Sequence, residues 1–232
     1  LNAVVVEDAC HALGAERNGR MVGSEADMTV FSFHPVKHIT TAEGGMVTTD
    51  DDEFARRLRL FRSHGIERDP SRMSQCDGPW YYEMVDLGYN YRLSDIHSAL
   101  GLSQLSKLEG FVEARRRIAE RYDRLLSQMP LVELPPRHPG HSYHLYPIQV
   151  PEELRLGLFN HLRNAGVGVQ VHYLPVHMHP YYSNRYGFAP KDFPQALGFY
   201  RRTISLPMFP ALEEAQQDRV VGLIGEFFAS VS

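Results

Sequence analysis

The chain has 232 residues, 43% of them hydrophobic and 22% charged, with a net charge of −4 and two cysteines. That balance fits a globular protein of one large or two modest domains and lacks the basic surplus of a nucleic-acid binder. Two cysteines make no disulfide framework, so a reducing, cytoplasmic setting is the expectation, and no apolar run approaches the roughly 20 residues of a membrane-spanning helix.

In chain order, Ala3–Val6 is a short apolar run closed by Glu7 and Asp8, the pattern of a buried parallel strand. The chain opens directly on this run. A parallel strand needs neighbours over both faces, so the expectation is a fragment of a domain that starts upstream of Leu1. Asn18-Gly19 predicts a hairpin over Glu16–Val22. Met28–Phe33 and Gly45–Thr49 predict two further strands. Asp50-Asp51-Asp52 then caps a helix over Glu53–His64, with Phe54, Leu58, Leu60 and Phe61 along one side.

Glu67–Tyr82 is broken by Pro70, Gly78 and Pro79 and carries the cluster Trp80-Tyr81-Tyr82. Ser94-Asp95 caps a helical pattern reaching Gln128. At 1.5 Å per residue such a helix is roughly 50 Å long, and a bend is expected at Gly110. On it, Arg115-Arg116-Arg117 reads as a solvated face. After Pro130, strands over His144–Val150, Val167–His172 and Thr203–Leu206 alternate with helices over Glu152–Ala165, Asp192–Arg202 and Leu212–Phe228. The alternation predicts an α/β fold, with a smaller α+β domain from residue 116 onward.

The segment that carries chemistry is Phe31-Ser-Phe-His-Pro-Val-Lys37, followed by Thr40-Thr-Ala-Glu-Gly-Gly45. A lysine becomes a nucleophile when its amine loses a proton, and imine formation with an aldehyde cofactor achieves this. Pro35 and the Gly44-Gly45 pair can hold Lys37 on fixed backbone; the bland alternative is a surface lysine on a loop. Asp8 ends the first strand, where carboxylates of α/β sheets face the ligand crevice, and an aspartate there can keep a pyridine nitrogen protonated. Its alternative is a helix cap or a solvated acid.

His11 can lie against a cofactor ring or serve as a structural histidine. Ser32 can bond a phosphate, while Phe31 and Phe33 face the core. Gly88-Tyr-Asn-Tyr-Arg92 puts an amide and a guanidinium at a helix entrance, a place suited to anions. His172, His177 and His179 lack the helical spacing of a zinc site and have no carboxylate or cysteine nearby, so no metal is expected.

Taken together, Val5-Val-Glu-Asp-Ala-Cys-His-Ala-Leu-Gly-Ala15, Ser32-Phe-His-Pro-Val-Lys37, Glu43-Gly-Gly-Met46, Gly88-Tyr-Asn-Tyr-Arg-Leu93, Leu100-Gly-Leu-Ser-Gln-Leu105, Val169-Gln-Val-His-Tyr173 and Ser205-Leu-Pro-Met208 resemble, in order along the chain, the DegT/DnrJ/EryC1/StrS sugar aminotransferases. The likeness is nearest to the branch serving pseudaminic acid synthesis. It implies fold type I of the pyridoxal 5'-phosphate (PLP) enzymes, with residues 1–115 as the C-terminal portion of a large domain built on a mostly parallel sheet. Residues 116–232 would form the small domain.

It implies that Lys37 is the Schiff-base lysine, and that Asp8 pairs with the ring nitrogen and His11 lies beside the ring. Ser32 would contact phosphate or substrate, and Asn90 the phosphate or substrate of the neighbouring subunit in a homodimer with shared active sites. Gln170, His172 and Tyr173 would meet the nucleotide sugar. The implied reaction moves an amino group from L-glutamate to the C4 ketone of a UDP-linked 4-keto-6-deoxy-N-acetylhexosamine.

Two other readings are a catalytically silent nucleotide-sugar binding module and a PLP-dependent sugar dehydratase. Lys37 disfavours the dehydratase, since relatives of that kind have histidine in its place. The phosphate-cradling loop and the aromatic that stacks on the ring are expected upstream of Leu1, so the chain by itself is expected to be inactive and to bind PLP weakly.

Overall fold

A computed structural model describes residues 3–231. The chain divides into two compact units, one up to Glu109 and the other from Gly110. No helix among the described residues is long and apolar enough to cross a membrane.

The first unit is built on a sheet of β1 (Val6–Asp8), β4 (Met28–Ser32) and β5 (Gly45–Thr48) in the order β1-β4-β5. β1 and β4 run parallel, with Asp8 opposite Val30, and β4 and β5 run antiparallel, with Ser32 opposite Gly45. Between β1 and β4, the predicted hairpin forms from β2 (Glu16–Arg17) and β3 (Arg20–Met21), its turn made by Asn18 and Gly19 at φ of 51° and 76°. Along β4, Thr29, Phe31 and then Phe33 are buried, and Ser32 lies on the other face.

The apolar opening run is a correction to the expected buried strand. Val4, Val5 and Val6 are 55–58% exposed, because β1 is the edge of this sheet and is bonded to β4 alone.

Asp51 caps α1 (Asp52–Arg62) by accepting the Phe54 N–H at 2.8 Å. β6 (Ile66–Glu67) and β7 (Glu83–Met84) bracket the irregular segment as an antiparallel pair. Gly65 and Gly88 are pressed together here: a Cβ on Gly88 would stand 2.2 Å from the Gly65 nitrogen, and one on Gly65 only 1.8 Å from the Asp86 carbonyl oxygen. Ser94 caps α2 (Asp95–Leu105) as predicted. The expected long helix is two helices, because α3 (Leu108–Leu126) starts anew. The break lies at Ser106-Lys107 rather than Gly110: the Ser106 hydroxyl donates to the Ser103 carbonyl at 2.9 Å, and Lys107 N–H closes a tight turn on Gln104 at 3.0 Å.

The second unit packs α3, α4 (Glu152–Asn164) and α7 (Glu214–Val231) with the antiparallel pair β8 (Tyr146–Gln149) and β9 (Thr203–Leu206). Ile118, Tyr122, Leu126, Tyr146, Ile148, Leu158, Ile204 and Ile224 form its core. Two short helices, α5 (Pro180–Tyr186) and α6 (Pro194–Arg202), lie between α4 and β9 in the chain. The strand expected over Val167–His172 is only a bridge between Gln170 and Ser205. Gly166, at φ of 79°, and exposed Gly168 leave this stretch one paired residue.

Arg115 corrects the reading of the arginine run as solvated. It is 3% exposed, because α3 turns Val112, Arg115, Ala119 and Tyr122 to one face. Its guanidinium donates to the carbonyls of Tyr143, His144 and Met208 at 3.1, 3.3 and 2.9 Å, and burial lowers its pKa to about 10. Arg116 donates to the His141 carbonyl at 3.0 Å, and only Arg117, paired with Glu113, matches the expectation.

Candidate active site

Asp8 stands at the C-terminal end of β1, where the chain leaves the sheet through a turn closed by the Ala12 N–H on the Ala9 carbonyl at 2.9 Å. The Asp8 carboxylate accepts the Cys10 N–H at 3.0 Å. Hydrogen bonds from Cys10 hold this carboxyl below the usual aspartate range, and the charges of His11 and Lys37 add to the effect. Burial pushes the Cys10 thiol up, and Asp8 pushes it further. Lys37 is half-buried; burial lowers its pKa, while Cys10 and Asp8 act in the opposite sense. Asp8, Cys10, His11 and Lys37 therefore form one electrostatic group in the first unit.

The backbone that presents Lys37 is tied at several points. Its N–H closes a turn on His34 at 2.9 Å, Phe33 N–H donates to Gly44 at 2.9 Å, and Thr41 N–H returns to Phe33 at 3.0 Å. The Thr40 hydroxyl donates to the Phe33 carbonyl at 3.1 Å and accepts the Ala42 N–H at 2.9 Å. His38, Ile39 and Thr41, which follow the lysine, are 1–3% exposed. Gly45 lets β5 come in against β4 at this point: a Cβ there would be 2.7 Å from the Phe31 carbonyl oxygen. Ser32, on the same strand end, accepts the His34 N–H at 3.3 Å.

Asn90 is exposed and pairs its backbone with Ser63, between Tyr89 and Tyr91, whose rings stack at 4.8 Å. In the second unit, Gln170 exchanges backbone hydrogen bonds with Ser205 at 2.8 and 3.3 Å. His172 Nδ1 lies 2.9 Å from the Ser205 hydroxyl, and burial lowers the His172 pKa. Tyr173 meets the His172 ring edge-on at 4.6 Å and is 58% exposed. In the first unit Asp8 and Ser32 end β1 and β4, with His11 and Lys37 in the loops that follow; in the second, Gln170 is bridged to Ser205 of β9 and His172 and Tyr173 follow it.

Cys10 escaped the sequence reading. Its signal was the spacing Asp-x-Cys, which lets an aspartate accept the N–H two residues on.

This donor set fits PLP. The group needs a carboxylate that stays ionised for its ring nitrogen and a lysine whose amine gives up its proton below the ordinary range. Asp8 and Lys37 have those two properties and act on one another.

The comparisons with known proteins agree. The chain is 41% identical over 211 residues to the UDP-4-amino-4,6-dideoxy-N-acetyl-beta-L-altrosamine transaminase of Campylobacter jejuni serotype O:2, covering 89% of this chain and 54% of that protein. Among solved structures it is similar to Helicobacter pylori PseC, an aminotransferase involved in pseudoaminic acid biosynthesis, with a TM-score of 0.89, 35% identity, and 97% and 59% of the two chains covered. It is also similar to a Streptococcus pneumoniae protein described as a sugar aminotransferase, in its PMP form, with a TM-score of 0.90, 32% identity, and 99% and 60% covered. The chain therefore spans 54–60% of the length of these relatives. The model of one family, described as DegT/DnrJ/EryC1/StrS aminotransferase, matches residues 1–225, and the chain belongs to that family.

Proposed function

We propose that the whole protein transfers an amino group from L-glutamate to the C4 ketone of a UDP-linked 4-keto-6-deoxy-N-acetylhexosamine, for pseudaminic acid or a related surface glycan. The observation that carries this reading is the coupling of an ionised Asp8 at a strand end to a half-buried Lys37. The roles of the Campylobacter and Helicobacter relatives support the sugar class.

PLP, when bound, supplies an electron sink for the carbon that loses its proton. Asp8 keeps the ring nitrogen protonated, and hydrogen bonds from the Cys10 side chain and N–H keep Asp8 ionised, the N–H also aiming it. Lys37 Nζ takes a proton from one carbon and returns it to another, which needs an amine at one moment and an ammonium at the next; burial brings the two forms closer in energy. His11 flanks the ring, and Ser32 contacts the phosphate or the substrate. Asn90 serves the site of the neighbouring subunit in a homodimer. Gln170, His172 and Tyr173 contact the nucleotide sugar.

The test is product analysis on the full-length protein with PLP, nitrogen-labelled glutamate and the UDP-4-keto sugar. Labelled amino sugar is expected, with at least a 100-fold loss of rate, roughly, in Lys37→Ala. A product that has lost a hydroxyl would identify a dehydratase, and sugar binding without turnover the silent module. Full turnover by an enforced monomer would remove Asn90 from its role.

A further inference from the structure

In the second unit a half-buried histidine meets a buried hydroxyl beside β9. Strand alternation sends Ile204 and Leu206 of β9 into the core and turns Thr203 and Ser205 to the opposite face. Pro147, opposite Ser205 on β8, has no N–H to give, so this pair carries no ladder bonds. The backbone of Ser205 bonds on its other side instead. Its N–H donates to the Gln170 carbonyl at 2.8 Å, and its carbonyl accepts the Gln170 N–H at 3.3 Å. His172, two residues beyond Gln170, comes to the same side, and its Nδ1 stands 2.9 Å from the Ser205 hydroxyl.

The direction of that hydrogen bond follows from burial. Ser205 is 3% exposed, and among the described residues its hydroxyl has no other hydrogen bond. A buried hydroxyl needs an acceptor for its proton, and the lone pair of a neutral Nδ1 is the one within reach. The reverse arrangement, with the proton on Nδ1 and Ser205 accepting, strands the hydroxyl proton in an enclosed place, which costs free energy. A charged imidazolium strands it equally, and burial already disfavours that charge by lowering the His172 pKa.

The ring proton then sits on Nε2. Among the described residues Nε2 has no hydrogen-bond partner. An imidazole in this form donates at Nε2 and accepts nothing there, so it suits an oxygen and not an amine hydrogen.

We propose that Ser205 is a positioning residue: it fixes His172 as the Nε2–H form, and His172 thereby presents an N–H donor to an oxygen of the sugar substrate. The donor role rests on the function proposed above; the Ser205–His172 arrangement does not.

The test has a spectroscopic arm and a kinetic arm, both on the full-length protein. Nitrogen-15 NMR of histidine-labelled protein reads the two ring nitrogens of His172, identified by their absence in His172→Ala. The expected pattern is a protonated Nε2 and an unprotonated, hydrogen-bonded Nδ1. In Ser205→Ala the Nδ1 signal should move to the position of a nitrogen without a hydrogen bond. In the kinetic arm, Ser205→Ala should raise KM for the UDP-4-keto sugar roughly fivefold with little change in kcat, as loss of uniform binding does. In the His172→Ala background, Ser205→Ala should change KM no further, since the serine acts through the histidine.

A protonated Nδ1 in the wild type, or an Nδ1 signal indifferent to Ser205→Ala, would overturn the arrangement; the wild-type signal decides even if the serine variant does not fold. Effects of the two substitutions that add would mean that Ser205 only packs the strand. An unchanged KM in His172→Ala would overturn the donor role. The expected NMR pattern, found while labelled glutamate yields no amino sugar, would sink the proposed function and the donor role with it, and leave the Ser205–His172 arrangement standing.

Discussion

Arg115 shows how a charged residue becomes part of a core. Its guanidinium gathers the three carbonyls of Tyr143, His144 and Met208, which come from two separate loops of the second unit. Buried carbonyls without donors cost free energy, so Arg115→Met is expected to lower the stability of the protein by about 1–3 kcal/mol in denaturant unfolding. Arg115→Lys should recover only part of this, since all three bonds are made by Nη1, a position the shorter lysine side chain does not reach. Wild-type stability in Arg115→Met would show that water replaces the guanidinium.

The arginine run looked solvated because three adjacent charges suggest a polar face. The helical period was the better guide: Val112, Arg115, Ala119 and Tyr122 are three or four residues apart and buried together, with Ile118, Asp123 and Leu126 beside them. Asp8 and Lys37 were legible because each has one chemical property at one place in the pattern. Cys10 was less so, because it acts on Asp8 through its side chain and its N–H, and both depend on the turn that follows β1.

Among the elements, the unit that matters most is β4, the Lys37 loop and β5. Its rigidity comes from hydrogen bonds that return the loop to Phe33 at both ends and from the close approach of β5 at Gly45. Gly45→Ala would drive a methyl against the Phe31 carbonyl, and strain of this kind costs about 1–3 kcal/mol. The expected outcome is a lower melting temperature together with weaker cofactor retention, read by the visible absorbance of the PLP-loaded protein. An unchanged melting temperature would mean that β5 can move away without penalty.

Most elements were readable. The Asn18-Gly19 turn, the Asp51 and Ser94 caps and the alternation along β4 appear where turn chemistry, capping and pattern put them. What was hidden depends on partners. The break at Ser106 is made by a hydroxyl that bonds its own helix, and the bridge at Gln170 is a matter of pairing with β9.

At the scale of the molecule, two compact units carry the two sets of site residues: Asp8, His11, Ser32, Lys37 and Asn90 in one, and Gln170, His172 and Tyr173 in the other. The apolar run over Ala3–Val6 reads as the strand, yet the strand is Val6–Asp8, because its start is set by pairing with Met28–Val30 of β4 and not by the run itself. The backbone contact of Tyr91 with Arg62 at the end of α1 was equally invisible, because it joins distant segments of the chain.

The whole account turns on one amine. The chain contains three lysines, Lys37, Lys107 and Lys191, and only Lys37 is coupled to Asp8. Loading the full-length protein with PLP, reducing with borohydride and mapping the peptides by mass spectrometry reads out which lysine holds the cofactor. The account predicts a pyridoxyl label on the peptide containing Lys37, and its disappearance when glutamate is added before reduction. A label on any other lysine, or on none, would contradict it.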